Sequence, residues 1–186
     1  MGKPPRRLGC CRGGGGTVIP SNVEVKARAR DLAGLRRLAE GLTDGPAEVI
    51  RQEDTFFNCP AGRLKLRTLA PDRGELIYYE REDTAGPRPS TYVISPTENP
   101  DSLRTALTSA LGVRGVVRKR RYLYRSGQTR IHLDEVDGLG PFVELEVVLR
   151  PDQSPDDGAR IAADLMAQLG IRDEDLVTEA YVDLLT

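Results

Sequence analysis

One segment of this sequence alternates strictly between basic and apolar residues, Arg63-Leu-Lys-Leu-Arg67. Successive side chains of a β-strand point to opposite faces, so the three basic residues share one face and the two leucines share the other. A strand with a fully charged face has to turn that face towards water or towards opposite charges. Further extended segments follow the same kind of pattern. Strands are predicted at residues 22–28, 50–58, 63–67, 75–81, 91–95, 116–124, 128–135 and 142–149.

Amphipathic helices are predicted between these strands. Asp31 is typical of a helix N-cap, and leucines follow it at helical spacing as far as Leu42. A second helix is predicted over residues 100–111 and a third over 155–169, where Gly170 ends it. A last helical piece runs to Leu185. These helices can cover the apolar faces of the strands.

The charged faces of the predicted strands are sorted by sign. Cationic faces carry Arg63, Lys65, Arg67, Arg81, Lys119 and Arg121, and anionic faces carry Asp134, Glu144 and Glu146. For a single strand, a solvated face is the simpler interpretation. The whole set favours an α+β fold in which an antiparallel sheet closes into a barrel, with helices packed outside and the charged faces in the lumen.

Such a lumen predicts a particular ligand chemistry. Buried cations need counter-charges, and arginines and lysines on several walls suit a polyanion such as a polyphosphate chain. Carboxylates two residues apart, as at Glu144 and Glu146, suit Mg²⁺ or Mn²⁺, which prefer oxygen ligands. The three cysteines and the single histidine have no zinc-site spacing.

Composition narrows the class of protein. The chain has 186 residues, with 27 Lys+Arg against 28 Asp+Glu, and this balance argues against a general nucleic-acid coat protein. No apolar run is long enough to cross a bilayer, and the few cysteines indicate a reducing, cytoplasmic location. Residues 1–20 are rich in glycine and basic groups and are predicted to be a disordered tail, followed by one folded domain over 21–186.

Several local runs, taken in order and with their strand parity, carry a family resemblance. They are Asn22-Val-Glu-Val-Lys-Ala-Arg28, Gln52-Glu-Asp-Thr-Phe56, Arg63-Leu-Lys-Leu-Arg67, His132-Leu-Asp-Glu-Val-Asp-Gly-Leu-Gly140 and Phe142-Val-Glu-Leu-Glu146. Over about residues 21–185 the chain resembles the CYTH superfamily, the triphosphate tunnel metalloenzymes. It looks more like the class IV adenylyl cyclase branch than like thiamine triphosphatase.

The resemblance implies an eight-stranded antiparallel tunnel that binds a triphosphate, and it assigns roles to residues. Phosphate binding is implied for Lys26, Arg28, Arg63, Lys65, Arg67, Arg81, Lys119 and Arg121. Binding of Mg²⁺ or Mn²⁺ is implied for Glu24, Asp134, Glu144 and Glu146. The expected catalytic residues are Glu24, Lys26, Asp134 and Glu146.

The expected function is a metal-dependent triphosphatase acting on inorganic triphosphate or a nucleoside triphosphate. Two alternatives stay open: an adenylyl cyclase that makes cyclic AMP and pyrophosphate, and a non-catalytic binder of triphosphate or polyphosphate. Asn22 stands where the family's Glu-x-Glu-x-Lys signature begins with glutamate, and its neutral oxygen is a weaker Mg²⁺ ligand, which leaves the number of metals open. His132 is expected to be a hydrogen-bonding wall residue rather than a base. We expect no nucleic-acid or membrane partner, and the exposed helices would suit a homodimer.

Overall fold

A computed structural model of the chain describes residues 21–43, 45–81 and 84–185. The strands are β1 Ser21–Arg28, β2 Glu48–Phe57, β3 Arg63–Ala70, β4 Arg73–Arg81, β5 Arg88–Thr97, β6 Val113–Ser126, β7 Thr129–Val136 and β8 Gly140–Val148. The helices are α1 Leu32–Gly41, α2 Pro100–Leu111, α3 Pro155–Leu169 and the short α4 Tyr181–Leu184, which follows a 3₁₀ turn at Asp173–Asp175. The tail predicted for residues 1–20 lies outside the described residues.

The eight strands close into a single antiparallel barrel, as the sequence predicted. Around the barrel the strand order is β1-β5-β4-β3-β2-β6-β7-β8, and β8 pairs with β1 to complete the ring. The fifth strand is longer than predicted, because β5 begins at Arg88, three residues before the strand expected at 91–95, and continues to Thr97. Among the described residues, no helix has the length and apolar character needed to cross a membrane.

The main hydrophobic core lies between the outer face of the barrel and the helices α1 and α3. It contains Val23, Val25 and Ala27 of β1, Ile131 and Leu133 of β7, Val143, Leu145 and Val147 of β8, and Ala162, Leu165, Met166 and Leu169 of α3. On the strands, these apolar residues alternate with the charged ones. The alternation therefore directs the apolar side chains outward to the helices and the charged side chains inward to the lumen.

Helix α3 is fixed at both ends by its own sequence. The Ser154 hydroxyl accepts a hydrogen bond from the Asp157 backbone, and the Asp157 carboxylate accepts one in return from the Ser154 backbone, which forms a capping box. Pro155 occupies the first helical turn, where its missing N–H costs nothing. Gly170 ends the helix in the left-handed region, with φ of 66°.

We expect Gly158→Ala to destabilise the protein, because α3 lies very close to the barrel at this point. A Cβ at Gly158 would be 2.7 Å from a methyl of Val23 and 2.7 Å from a methyl of Leu149. The clash should outweigh the better helix propensity of alanine and cost about 1–3 kcal/mol. Urea unfolding would measure this, and Gly41→Ala, where the added Cβ has open space, is the matched control. An unfolding midpoint for Gly158→Ala at or above that of the unsubstituted protein would contradict the expectation.

The C-terminal segment covers one end of the barrel. Tyr181 and Val182 of α4 pack in a second apolar cluster with Phe56, Val117 and Phe142 from the barrel wall. Backbone contacts with β1 anchor the segment. The Val177 amide donates a hydrogen bond to the Lys26 carbonyl, and Leu176 forms an isolated antiparallel β-bridge with Ala27. The barrel lumen is therefore closed by Tyr181 at this end. At the opposite end Ile94, on the inner face of β5, is 45% exposed.

Candidate active site

The barrel encloses a cavity of about 390 Å³ that is lined by all eight strands and by the C-terminal segment. Nine of the twelve residues singled out from the sequence line it: Glu24, Lys26, Lys65, Arg67, Arg81, Lys119, Arg121, Glu144 and Glu146. Six of these are cations and three are carboxylates. The charges that the alternating sequence placed on one face of each strand therefore do converge on one enclosed space.

The lysines of the cavity are deeply buried and packed against aromatic rings. The Lys26 ammonium lies 4.1 Å from the centre of the Tyr181 ring, and the Lys119 ammonium lies 4.8 Å from it. Lys26 also donates to the Glu179 carbonyl and pairs with Glu144 at 3.4 Å. Burial lowers the pKa of Lys26 to about 8, against the charge of Glu144, which raises it. This lysine is thus charged at neutral pH and close to titration above it.

Three of the five carboxylates that line the cavity lie on the neighbouring strands β1 and β8. Glu24 faces Glu146 directly in the β1–β8 register, and Glu144 faces Lys26. Each carboxylate is paired with a cation: Glu24 with Arg81, and Glu144 with Arg121 at 2.6 Å. Two like charges directly opposite each other on neighbouring strands are destabilising unless positive charge lies between or beside them.

Asp134 does not line the cavity, although its strand parity points inward as predicted. Its side chain has 0% exposure and lies behind the cationic wall. It accepts hydrogen bonds from Lys119 at 2.7 Å, from Arg121 at 2.6 Å through two nitrogens, and from the Tyr181 hydroxyl at 3.2 Å. Asp134 is therefore placed to hold two cations in position, and its oxygens do not face the space where a metal ion and a phosphate would meet.

Arg28 and Arg63, also expected to bind phosphate, lie at the covered end of the barrel and outside the cavity lining. Arg28 is exposed and stacks on Phe142, with its guanidinium carbon 5.1 Å from the ring centre. Arg63 pairs with Asp183 of α4 at 3.3 Å. Their parity is inward, but each is the last or first residue of its strand, beyond the space enclosed by the ring of strands.

The comparisons with known proteins agree with this geometry. The CYTH domain model matches residues 21–181, which is most of the chain. The chain belongs to the CYTH family. Members of this family bind triphosphate substrates and are generally metal-dependent. No protein of the curated set matches the sequence at a significant level.

Solved structures share the fold. A protein of Pyrococcus horikoshii has a TM-score of 0.78 and 25% identity, covering 88% of this chain and 98% of its own. A putative adenylate cyclase of Vibrio parahaemolyticus has a TM-score of 0.72 and 19% identity, with coverage of 88% and 97%. A putative adenylyl cyclase of Hippeastrum, described as having a dominant triphosphatase activity, has a TM-score of 0.60 and 15% identity, with coverage of 86% and 91%.

The donor atoms of this CYTH domain fit a hard divalent cation in their chemistry. Glu24, Glu144 and Glu146 supply carboxylate oxygens, and the buried amide oxygen of Asn22 lies in the same lining without any hydrogen-bond partner. In the described part of the chain, however, no three such residues already converge closely enough to hold a metal. Glu146 instead accepts from Arg130 at 3.1 Å and from the Asn22 amide nitrogen at 2.5 Å. A bound cation would compete with arginine for these oxygens.

His132 lies between two of the carboxylates. Its ring nitrogens are 3.9 Å from Glu144 and 3.8 Å from Glu146. Burial, together with the charge of Arg121, lowers the pKa of His132 despite the nearby carboxylates, so the imidazole is neutral at physiological pH. His132 therefore lies in the cavity wall, and the hydrogen-bonding role expected for it stays a prediction, because both distances are too long for a direct hydrogen bond.

Sequence reasoning left four residues out of the site. Asp54 pairs with Lys65 and Arg67, and Arg88 lies against Glu24 at 3.6 Å with 2% exposure. Arg130 pairs with Glu146, and Tyr181 covers the lysines. Strand parity placed Asp54 and Arg130 on inward faces, and this signal would have been sufficient to include them in the predicted site. Arg88 follows a proline in a segment without alternation, so nothing local marked it as inward-facing.

Proposed function

We propose that this CYTH domain hydrolyses triphosphate compounds with the help of Mg²⁺ or Mn²⁺. One observation carries the proposal: six cations from four strands and three carboxylates from β1 and β8 line a single enclosed cavity. Phosphoryl transfer needs little covalent chemistry from a protein, because most of the catalysis is positioning and charge stabilisation. A cavity that presents cations along its wall and carboxylates on two adjacent strands supplies both.

The cations would bind the phosphate oxygens. Arg67, Arg81 and Arg121 can each donate several N–H groups in a fixed fork, whereas Lys65 and Lys119 act as point charges on neighbouring walls. In the structure these groups are held by carboxylates, so they are already oriented before a ligand enters. Oriented donors cost little to reorganise during the reaction, which is why they stabilise developing charge well.

The carboxylates Glu24, Glu144 and Glu146 would hold the divalent cation next to the phosphate chain. When bound, such an ion neutralises phosphate charge and polarises the reacting phosphoryl group. Neutral His132, within reach of Glu144 and Glu146, can accept or donate one hydrogen bond and so help to orient a water molecule or a carboxylate. Asp134 would act through Lys119 and Arg121 and not on the metal.

The end of the cavity opposite the C-terminal segment carries a group of apolar side chains beside charged ones. Ile50, Leu69, Ile94 and Leu123 line it together with Tyr92, next to Glu75 and Arg125. Such a lining suits an organic group attached to the triphosphate, as in a nucleoside triphosphate, better than it suits bare inorganic triphosphate. It is also the feature that favours the second candidate function, an adenylyl cyclase, since a cyclase must hold the nucleoside in place. The relatives described as putative adenylate cyclases support the same alternative.

Product identity separates the two functions. Purified protein would be incubated with inorganic triphosphate, ATP and other nucleoside triphosphates in Mg²⁺ or Mn²⁺, and the products resolved by chromatography. We expect a diphosphate product and inorganic phosphate. Cyclic AMP with pyrophosphate would instead establish the cyclase. If calorimetry shows tight binding but no compound is turned over, the protein is a non-catalytic triphosphate binder.

Removal of divalent metal is expected to abolish turnover while leaving part of the binding. EDTA removes the ion that neutralises phosphate charge, whereas the cationic side chains of the cavity wall stay in place. Phosphate release should therefore fall to background in EDTA and return on addition of Mg²⁺ or Mn²⁺ but not of Ca²⁺ alone, because Ca²⁺ prefers longer bonds and more ligands. Full activity in EDTA would contradict the metal requirement. We also propose a cytoplasmic location, on the low cysteine content of the sequence.

A further inference from the structure

Two aspartates occupy equivalent places in the barrel. Asp54 on β2 lies directly opposite Arg67 on β3, and Asp134 on β7 lies directly opposite Arg121 on β6. In both cases a lysine precedes the arginine by two residues on the same strand, and its ammonium reaches the same carboxylate, at 2.8 Å and 2.7 Å. Each aspartate therefore lies between one lysine and one arginine of the cavity wall.

Asp54 is fully engaged by these cations. Its side chain is 4% exposed, and it accepts from the Lys65 ammonium at 2.8 Å through one oxygen and from the Arg67 guanidinium at 3.0 Å through the other. The Gln52 amide is 3.4 Å away. A carboxylate so enclosed by donors stays ionised, and the charges of Arg67 and Lys65 hold the pKa of Asp54 far below its ordinary value, although burial alone would raise it.

We propose that Asp54 is a positioning residue of the triphosphate site, which fixes the Lys65 ammonium and the Arg67 guanidinium in place and keeps that ammonium charged. The inference rests on the proposed function, because it assigns these two cations to phosphate. Asp54 lines the cavity, but both of its oxygens accept from these two cations, so we assign it no direct contact with the substrate. Its loss would act through Lys65 and Arg67.

The charge on Lys65 is the measurable consequence. Lys65 is surrounded by Asp54 of β2, Arg67 of its own strand and Lys119 of β6, and it lies 5.5 Å and 5.7 Å from the ring centres of Phe56 and Tyr79. Burial lowers the pKa of Lys65 to about 8, Arg67 and Lys119 lower it as well, and Asp54 raises it. Without the negative charge of Asp54 the pKa falls below 8, and Lys65 is neutral in a larger fraction of molecules at neutral pH.

The test is calorimetric binding of inorganic triphosphate to Asp54→Asn at pH 6.5 and pH 8. The substitution keeps the shape of the side chain and removes its charge. Binding should weaken by about threefold at pH 6.5, where Lys65 stays mostly protonated. At pH 8 a pKa lower by about one unit reduces the protonated fraction of Lys65 by a further factor of about five, so the total loss there should be about tenfold or more. Asp72→Asn, in the exposed β3–β4 turn, is the matched control and should bind as the unsubstituted protein does.

Two more variants separate position from charge. In Asp54→Asn/Lys65→Arg the cation cannot lose its proton, so the extra loss at pH 8 should disappear. Asp54→Glu keeps the charge but displaces it by one methylene, and its affinity should fall equally at both pH values. If Asp54→Asn binds triphosphate as tightly as the unsubstituted protein, or more tightly, Asp54 is only a counter-charge that the ligand displaces, and the proposal is wrong.

Failure of the proposed function would be recognised separately. If the unsubstituted protein binds no triphosphate at either pH, the proposed function is wrong. The effect of Asp54 on Lys65 is then tested by the pKa of Lys65 alone. NMR titration of the reductively ¹³C-methylated protein reports the pKa of Lys65, whose signal is assigned with Lys65→Arg. A lower pKa in Asp54→Asn supports the role of Asp54, and an unchanged pKa overturns it. Asp54→Ser, which also removes the charge, gives the same comparison if Asp54→Asn does not fold.

Discussion

Replacing Glu146 with glutamine is expected to lower kcat/KM for triphosphate hydrolysis by about a hundredfold to a thousandfold, the loss typical of removing one preorganised charge-stabilising group from an active site. Glu146 faces Glu24 across the β1–β8 pair, and the proposed function makes these two carboxylates ligands of one cation. Glutamine keeps the size and a neutral oxygen but removes a negative charge, and Mg²⁺ binds such an oxygen less tightly.

The kinetic pattern matters as much as the size of the effect. If Glu146 acts through the cation, raising the Mn²⁺ concentration should recover part of the activity of Glu146→Gln, and calorimetry should show weaker Mn²⁺ binding. Glu80→Gln is the matched control, because Glu80 is an exposed carboxylate on the outside of β4 that contacts only Tyr78 among the described interactions. If the activity of Glu146→Gln is within about threefold of that of the control, Glu146 is not a ligand of the metal ion.

Removing Asp134 is expected to destabilise the protein by about 3–5 kcal/mol, because it leaves buried cations without their partner. Asp134 has no exposed side-chain surface and holds Lys119, Arg121 and Tyr181. In Asp134→Ala, Arg121 keeps Glu144, but the contact of Lys119 with a carboxylate at 2.7 Å is lost. Urea unfolding at pH 7 would measure the change from the transition midpoint at constant m-value.

The neighbouring residue supplies an internal control. Glu135 is also paired with an arginine, Arg120, but on the outer face of β7, where both groups are partly exposed. An exposed pair of this kind contributes about 0–1 kcal/mol, so Glu135→Ala should unfold close to the unsubstituted protein. Equal effects of Asp134→Ala and Glu135→Ala would mean that burial of the inner pair does not determine stability.

The stability difference due to Asp134 should depend on pH in a defined direction. Burial would raise the pKa of Asp134, but the charges of Arg121 and Lys119 outweigh it and hold the folded-state pKa below the ordinary value of 3.8. A depressed pKa means that the contribution is complete above the unfolded value and is lost as the pH falls below it. The gap between the unsubstituted protein and Asp134→Ala should therefore be constant from about pH 5 to 7 and shrink below about pH 4.

Strand parity was the part of this protein that the sequence determined by itself. Alternation with a period of two is a local property, so the sequence placed Lys65 and Arg67 on an inward face, and Leu64 and Leu66 on the other, without knowledge of the neighbouring strands. The same local logic gave the helices, whose caps and apolar stripes lie within a few residues of each other. It also gave the sorting of charge that indicated a closed, cationic lumen.

Register and position along the barrel axis were decided only in three dimensions. Arg28 and Arg63 have the correct parity but lie at strand ends, beyond the cavity, because parity gives a face and not a depth. Asp134 points inward yet serves the cations, because the β6–β7 register sets it opposite Arg121. Strand register depends on contacts between residues that are distant in the sequence, and these contacts are set together when the barrel closes. A local pattern within one strand does not contain that information.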